Sequence, residues 1–164
     1  MENRLKKIAE KCLRGAEDNS MTFPQIVATL LEGGFESYAV DFRRANAIYY
    51  RPNGDSVQLS THRHAVPVAE AFDAKSIQVA IREAQQLVAG YTYEGFCQKV
   101  MEAGCAGYIV SFTGRRAVYF GRTAETHIEH FPRSSTTEVA AGPVFHGGVT
   151  AKTSRNNASN GDNR

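Results

Sequence analysis

Apolar positions recur at helical spacing over two stretches of the chain. Leu5, Ile8, Ala9, Cys12 and Ala16 form one stripe across residues 3–16, and Ile77, Ala80, Ile81, Ala84, Leu87 and Val88 form another across 74–89. Each predicts an amphipathic helix. A second helix should start at Thr22, whose hydroxyl can accept from the orphan amide of Gln25 while Gln25 reaches back to close a capping box. Thr92 offers the same cap, but Gly95 stands where Gln25 does, so only half of that box is available. Gly34 and Gly104 suit the left-handed residue that ends such helices. Alternation of period two then takes over, with Tyr38, Val40 and Phe42 on one face and Tyr108, Val110 and Phe112 on another. Further strands are predicted at 46–51 and 56–62, and again at 116–121 and 125–131.

These parallels reflect an internal repeat. At an offset of 70 residues, Met21–Tyr50 aligns without a gap onto Tyr91–Phe120, with eight identities in thirty positions. Composition alone would give roughly two. The identical pairs are Thr22/Thr92, Glu32/Glu102, Gly34/Gly104, Tyr38/Tyr108, Val40/Val110, Phe42/Phe112, Ala47/Ala117 and Tyr49/Tyr119. The predicted fold is therefore α+β, an internal duplication of a unit made of two helices and a three-stranded antiparallel meander. The halves, 1–68 and 69–134, are each too small to be comfortable alone and should share one core as a single domain. Residues 135–164 are polar and read as a disordered tail.

Composition adds mainly exclusions. The chain has 164 residues, 42% hydrophobic and 22% charged, with no apolar run of the length a membrane span needs. Its N-terminus carries charges every few residues, unlike a secretory signal. The three cysteines show no paired spacing, which argues for packing as small hydrophobes in a reducing cytoplasm. A net charge of +2, with acids interspersed among the arginines, does not suggest nucleic acid as a partner.

Candidate chemistry collects on the strands. If the helices cover the face bearing Tyr38, Val40, Phe42, Ile48 and Tyr50, the opposite face carries Asp41, Arg43, Tyr49 and Arg51. In the second copy that face should carry Ser111, Thr113 and Tyr119, and by alternation from a buried Ile128 also His127 and Glu129. A phenol, an imidazole and a carboxylate on neighbouring strands can transfer protons or hold a polar ligand. They also suit a solvated sheet face or a contact between halves or subunits. The pairs His62-x-His64 and His127-x-Glu129 have ligand-like spacing, but nothing in the sequence brings them together, so neither a metal nor a cofactor is predicted.

The segments MTFPQIVATLLEGGFESYAVDFRRANAIYYRPNGDS and YTYEGFCQKVMEAGCAGYIVSFTGRRAVYFGRTAETHIEHFP resemble the YbcV-like family of small bacterial and prophage proteins. The likeness covers roughly residues 1–133 and rests on a TFP-started helix, a YY-x-P-x-G-x-S strand and turn, and a closing Y-x-GR-x-x-x-x-H-x-E-x-FP segment. It implies a bacterial or phage α+β domain and brings no agreed activity, cofactor or catalytic residue.

Two functional readings follow. The first is a cytoplasmic, non-enzymatic binding or interaction module for a small molecule or a protein, whose halves pack about a pseudo-two-fold axis with a ligand groove along it. Assembly with further copies of the chain stays open. The alternative is a small enzyme acting on a polar or anionic molecule. In it His127 would be acid or base, Glu129 its orienting partner, Tyr119 a hydrogen-bond donor and Arg122 an anion partner. Tyr49, Asp41 and Arg43 would complete the ligand contacts on the sheet.

Overall fold

A computed structural model of the protein describes residues 2–131; the predicted tail, 135–164, lies outside them. Each half supplies two helices and three strands. The first gives α1 (Glu2–Glu17), α2 (Phe23–Glu32), β1 (Ser37–Asp41), β2 (Asn46–Tyr50) and β3 (Ser56–Ser60). The second gives α3 (Ala74–Gln86), α4 (Tyr93–Glu102), β4 (Cys105–Ser111), β5 (Arg116–Gly121) and β6 (Thr126–His130). The two meanders join into one antiparallel sheet of six strands, ordered β3-β2-β1-β4-β5-β6. The fold is thus α+β, with β1 and β4 meeting at the centre in the register Tyr38 opposite Val110 and Val40 opposite Tyr108.

Local signals set the element ends. Thr22 closes its capping box, its hydroxyl accepting from the Gln25 amide while the Gln25 side chain accepts from the Thr22 amide. Thr92 makes the single bond left to it, accepting from the Gly95 amide at 3.0 Å. After α2 the Gly34 amide donates to Leu31 and the Phe35 amide to Leu30, both at 3.0 Å, a Schellman ending with Gly34 at φ +88°. Gly104 repeats that conformation at φ +91°. The α3 helix stops sooner than its apolar stripe suggests. Leu87 turns left-handed and caps it, so Leu87 and Val88 lie exposed in the loop before α4 rather than on a buried stripe.

The helices cover one face of the sheet. The α1 helix contacts α2 and β3, α3 contacts α4 and β6, α4 lies over β4, and α1 meets α4 across the centre. Tyr38, Val40, Ala47, Tyr49, Leu59, Tyr108, Val110, Ala117 and Tyr119 all turn inward to one core shared by both halves. Burying each large apolar side chain contributes about 1.5–3 kcal/mol, so this common core is what each half lacks alone. The linker 61–73 is tied down where the Ala69 and Asp73 amides donate to the carbonyls of Met101 and Ala103.

One expectation is overturned. Ile48 and Tyr50 do not share a face with Tyr38 and Val40; Ala47 and Tyr49 do, because Tyr49 is paired with Tyr38 and Ala47 with Val40. The reason is the loop length. Loops 42–45 and 112–115 each hold four residues, an even number, so the residues facing the core change from even to odd numbers across each hairpin. Carrying alternation straight through the turn therefore inverts the second strand. Tyr50 is 37% exposed and Ile128 42%, whereas Tyr119 is 2% exposed. Tyr49, Tyr119, His127 and Glu129 accordingly lie on the helix-covered side and not on a wet face.

Candidate functional site

Between the helices and the centre of the sheet lies a half-open cavity of about 800 Å³. Its floor is eight side chains from the four central strands: Tyr38, Val40, Ala47, Tyr49, Tyr108, Val110, Ala117 and Tyr119. These are four of the identical pairs of the repeat, so the floor has the two-fold symmetry of the duplication. The walls do not. Met21, Phe23 and Ile26 on one side are answered by Tyr91, Tyr93 and Phe96 on the other. Exposed residues of the α1–α2 and α3–α4 loops, among them Asn19, Leu87 and Gly90, edge the opening.

Six of the seven tyrosines line this cavity. Four form a continuous chain of rings across the sheet: Tyr49 to Tyr38 at 5.6 Å between centroids, Tyr38 to Tyr108 at 6.2 Å, and Tyr108 to Tyr119 at 5.4 Å. Such spacings are those of attractive stacked and edge-on ring pairs. The Tyr108 hydroxyl is engaged with that of Tyr93 at 2.6 Å, and the neighbouring Tyr108 phenol moderates the upward shift of Tyr38. Among the described residues nothing hydrogen-bonds the hydroxyls of Tyr49, Tyr91 or Tyr119. Burial pushes all six phenols upward in pKa, Tyr91 to about 12 and Tyr38, Tyr93, Tyr108 and Tyr119 well above their ordinary range. Each stays protonated at neutral pH and is therefore a hydrogen-bond donor. Among the described residues no Asp, Glu, Lys, Arg or His lines the cavity.

The predicted site residues separate into three places. His127 sits opposite Tyr119 in the β5–β6 register, its ring centroid 6.4 Å away. Its Nε2 lies 3.2 Å from Glu129 Oε2, and the other Glu129 oxygen accepts from the Gln85 side chain at 3.4 Å. Gln85 in turn lines the cavity, so this polar set backs its Tyr119 end. The equivalents of His127 and Glu129 in the first half are Val57 and Leu59, so the strand beside Tyr49 offers apolar side chains there. Asp41 and Arg43 lie at the β1–β2 loop instead. The Asp41 carboxylate accepts from the amides of Arg43 and Arg44, each at 3.0 Å, and so fastens the turn. Arg122 is at the β5–β6 turn, donating to the Val68 carbonyl at 3.4 Å, away from the other candidates.

The remaining candidates are structural in their surroundings. Cys12, Cys97 and Cys105 are all buried and free. Burial raises the thiol of Cys12 to about 11 and that of Cys105 to about 12, and Cys97 moves the same way. His62 holds Glu17 through its backbone amide at 2.8 Å, and His64 stacks edge-on against Phe42. Among the described residues no three His, Cys, Asp or Glu side chains gather as a metal-binding set. No described helix is long and apolar enough to cross a membrane.

The cavity tyrosines Tyr38, Tyr91, Tyr93 and Tyr108 were not foreseen as site residues. A signal for two of them was present in the repeat: Tyr38/Tyr108 and Tyr49/Tyr119 are identical pairs, whereas the outward pairs Ile48/Val118 and Tyr50/Phe120 are only similar. No curated protein matches the chain. A family model described as a protein of unknown function, DUF1398, matches residues 11–129, a span from the middle of α1 through all but the last residue of β6. With the second helical hairpin, most of the first and almost the whole sheet inside that match, the chain belongs to the DUF1398 family.

Proposed function

We propose that the protein is a non-enzymatic binding module that takes up a small, mostly apolar molecule between its helices and its sheet. The observation carrying this reading is the cavity of about 800 Å³ lined by uncharged side chains. Ligand pockets usually occupy about 300–1,000 Å³ and combine apolar walls with a few placed polar groups. The shared sheet supports treating 1–134 as one duplicated domain, the likeness to YbcV-like proteins supports a bacterial or prophage setting, and the three buried free thiols are in keeping with a reducing cytoplasm.

A thermal-shift screen against a metabolite library tests the reading. A ligand at 100 times its dissociation constant stabilises the folded state by about 2.7 kcal/mol. Ala117 is fully buried in the floor, so Ala117→Phe projects a ring into the cavity and should abolish the shift. A library without hits, or hits that survive this substitution, would overturn the proposal.

The contact of His127 with Glu129 beside Tyr119 favours a second reading, a small enzyme whose acid or base is His127. The position of Arg122 supports no role for it in holding an anionic substrate there. Turnover of a bound ligand, lost in His127→Ala while binding persists, would select this alternative.

A further inference from the structure

Resting on the binding reading above, we infer that the ligand is an uncharged, flat aromatic compound with carbonyl-type hydrogen-bond acceptors, and that Tyr49 and Tyr119 donate to those acceptors.

Charge comes first. Among the described residues no cationic side chain lines the cavity; the pair of His127 with Glu129 places a carboxylate behind Tyr119, and Glu17 acts on Tyr49 at the other end. The negative field of Glu129 at this end is one reason the Tyr119 phenol titrates high, and it would repel a carboxylate or phosphate in the same place. Nor does any described lining residue carry an acid to neutralise a bound cation. Burying either kind of ion without a partner is costly. An uncharged ligand avoids both penalties.

The lining then selects for rings. Eight aromatic residues face the space, six of them tyrosines, and four of those form the row from Tyr49 to Tyr119. Flat rings gain from stacked and edge-on contacts that a flexible acyl chain cannot make, and they lose less conformational freedom on entering.

Finally, the polar groups specify the partner atoms. Tyr93 and Tyr108 satisfy one another and Tyr38 lies against Tyr108, but Tyr49 and Tyr119, 4% and 2% exposed, have no hydroxyl partner among the described residues. Neither hydroxyl is among the fully buried polar atoms, and both residues line the cavity, so each is a donor that a ligand entering there can reach. They stand on β2 and β5, three interstrand spacings or about 14 Å apart. Acceptors at two ends of an elongated ring system would meet both.

Calorimetric titration with three probes tests this: 2,6-diacetylnaphthalene, a neutral flat aromatic with a carbonyl at each end; N-phenyl-1-naphthylamine, a neutral aromatic without a carbonyl; and laurate, an anionic acyl chain. The diketone should bind tightest, and Tyr119→Phe and Tyr49→Phe should each weaken it by about five-fold without lowering the unfolding midpoint, since each removes a hydroxyl that holds nothing in the free protein. Tighter binding of laurate than of the diketone overturns the ligand class while leaving a binding cavity in place. Unchanged diketone affinity in the double Phe variant, or tighter binding of the naphthylamine, overturns the acceptor assignment. Failure of all three probes, or binding that Ala117→Phe does not diminish, sinks the binding reading itself and this inference with it.

Discussion

Ala39 lies directly opposite Ile109 across the β1–β4 seam, and the two are also each other's counterparts in the 70-residue repeat. A residue paired with its own equivalent marks the symmetry axis, so the axis runs through this pair and the halves meet edge to edge. Each half alone would expose a central strand edge and half of the shared core. A polypeptide of residues 1–68 should therefore be unfolded or aggregated by circular dichroism and size-exclusion chromatography. Adding 69–131 should restore helical signal in an equimolar complex; a folded monomeric 1–68 would contradict the shared core.

Gly104 and Gly34 are equivalent, but their surroundings differ. A Cβ on Gly104 would penetrate the backbone carbonyl of Ala71 in the docked linker, whereas one on Gly34 would meet the movable end of the Arg51 side chain at 3.2 Å. Both substitutions incur the left-handed penalty of about 1–2 kcal/mol. Gly104→Ala must also displace backbone and should cost about 3 kcal/mol or more in urea unfolding, clearly more than Gly34→Ala.

The three thiols should be inert in the folded protein. With its pKa pushed up to about 11, Cys12 has roughly one thiolate in a thousand at pH 8, against about a quarter for an ordinary thiol. Iodoacetamide at pH 8 should leave all three cysteines unmodified by mass spectrometry until denaturant is added. Fast native alkylation of Cys12 would show that its wall of the cavity opens.

His64 gives the fold a dependence on pH. Burial lowers its pKa below the ordinary 6.5, with His62 adding to the shift while Glu94 and Glu17 oppose it. Its Nδ1 is buried without a hydrogen-bond partner. The unfolded chain therefore takes up a proton at His64 more readily than the folded one. Its contribution is fully present above 6.5 and is lost as pH falls through the lowered folded value. The thermal midpoint should decline on acidification below 6.5, and His64→Gln should flatten that part of the profile.

Much of this architecture can be read from local chemistry. Thr22 and Gly34 announce the ends of α2, and the period-two runs around Tyr38 and Tyr108 announce β1 and β4. What local pattern cannot supply is the phase of one strand relative to the next. That depends on residues 42–45 forming a four-residue loop, in which Ala45 adopts a left-handed φ of 52° with no glycine to advertise it. The same error of phase hid the cavity, because it placed Tyr49 and Tyr119 outside. The grouping of Tyr119, His127 and Glu129 survived, since both the alternation argument and the true register keep Tyr119 and His127 on a common face. Asp41 and Arg43 carry charges that look functional in sequence, yet the Asp41 carboxylate is occupied by backbone amides of its own turn.

A chamber on the axis between two separate identical chains must have two identical walls, because any substitution appears twice. Here one polypeptide encodes each wall once. Phe23 can differ from Tyr93, and Val57 from His127, without disturbing the Tyr38, Tyr108, Tyr49 and Tyr119 floor common to both halves. Covalent fusion thus permits a lopsided occupant on a symmetric base: a molecule with distinguishable ends can be held in one orientation, which a strictly two-fold receptor could not enforce.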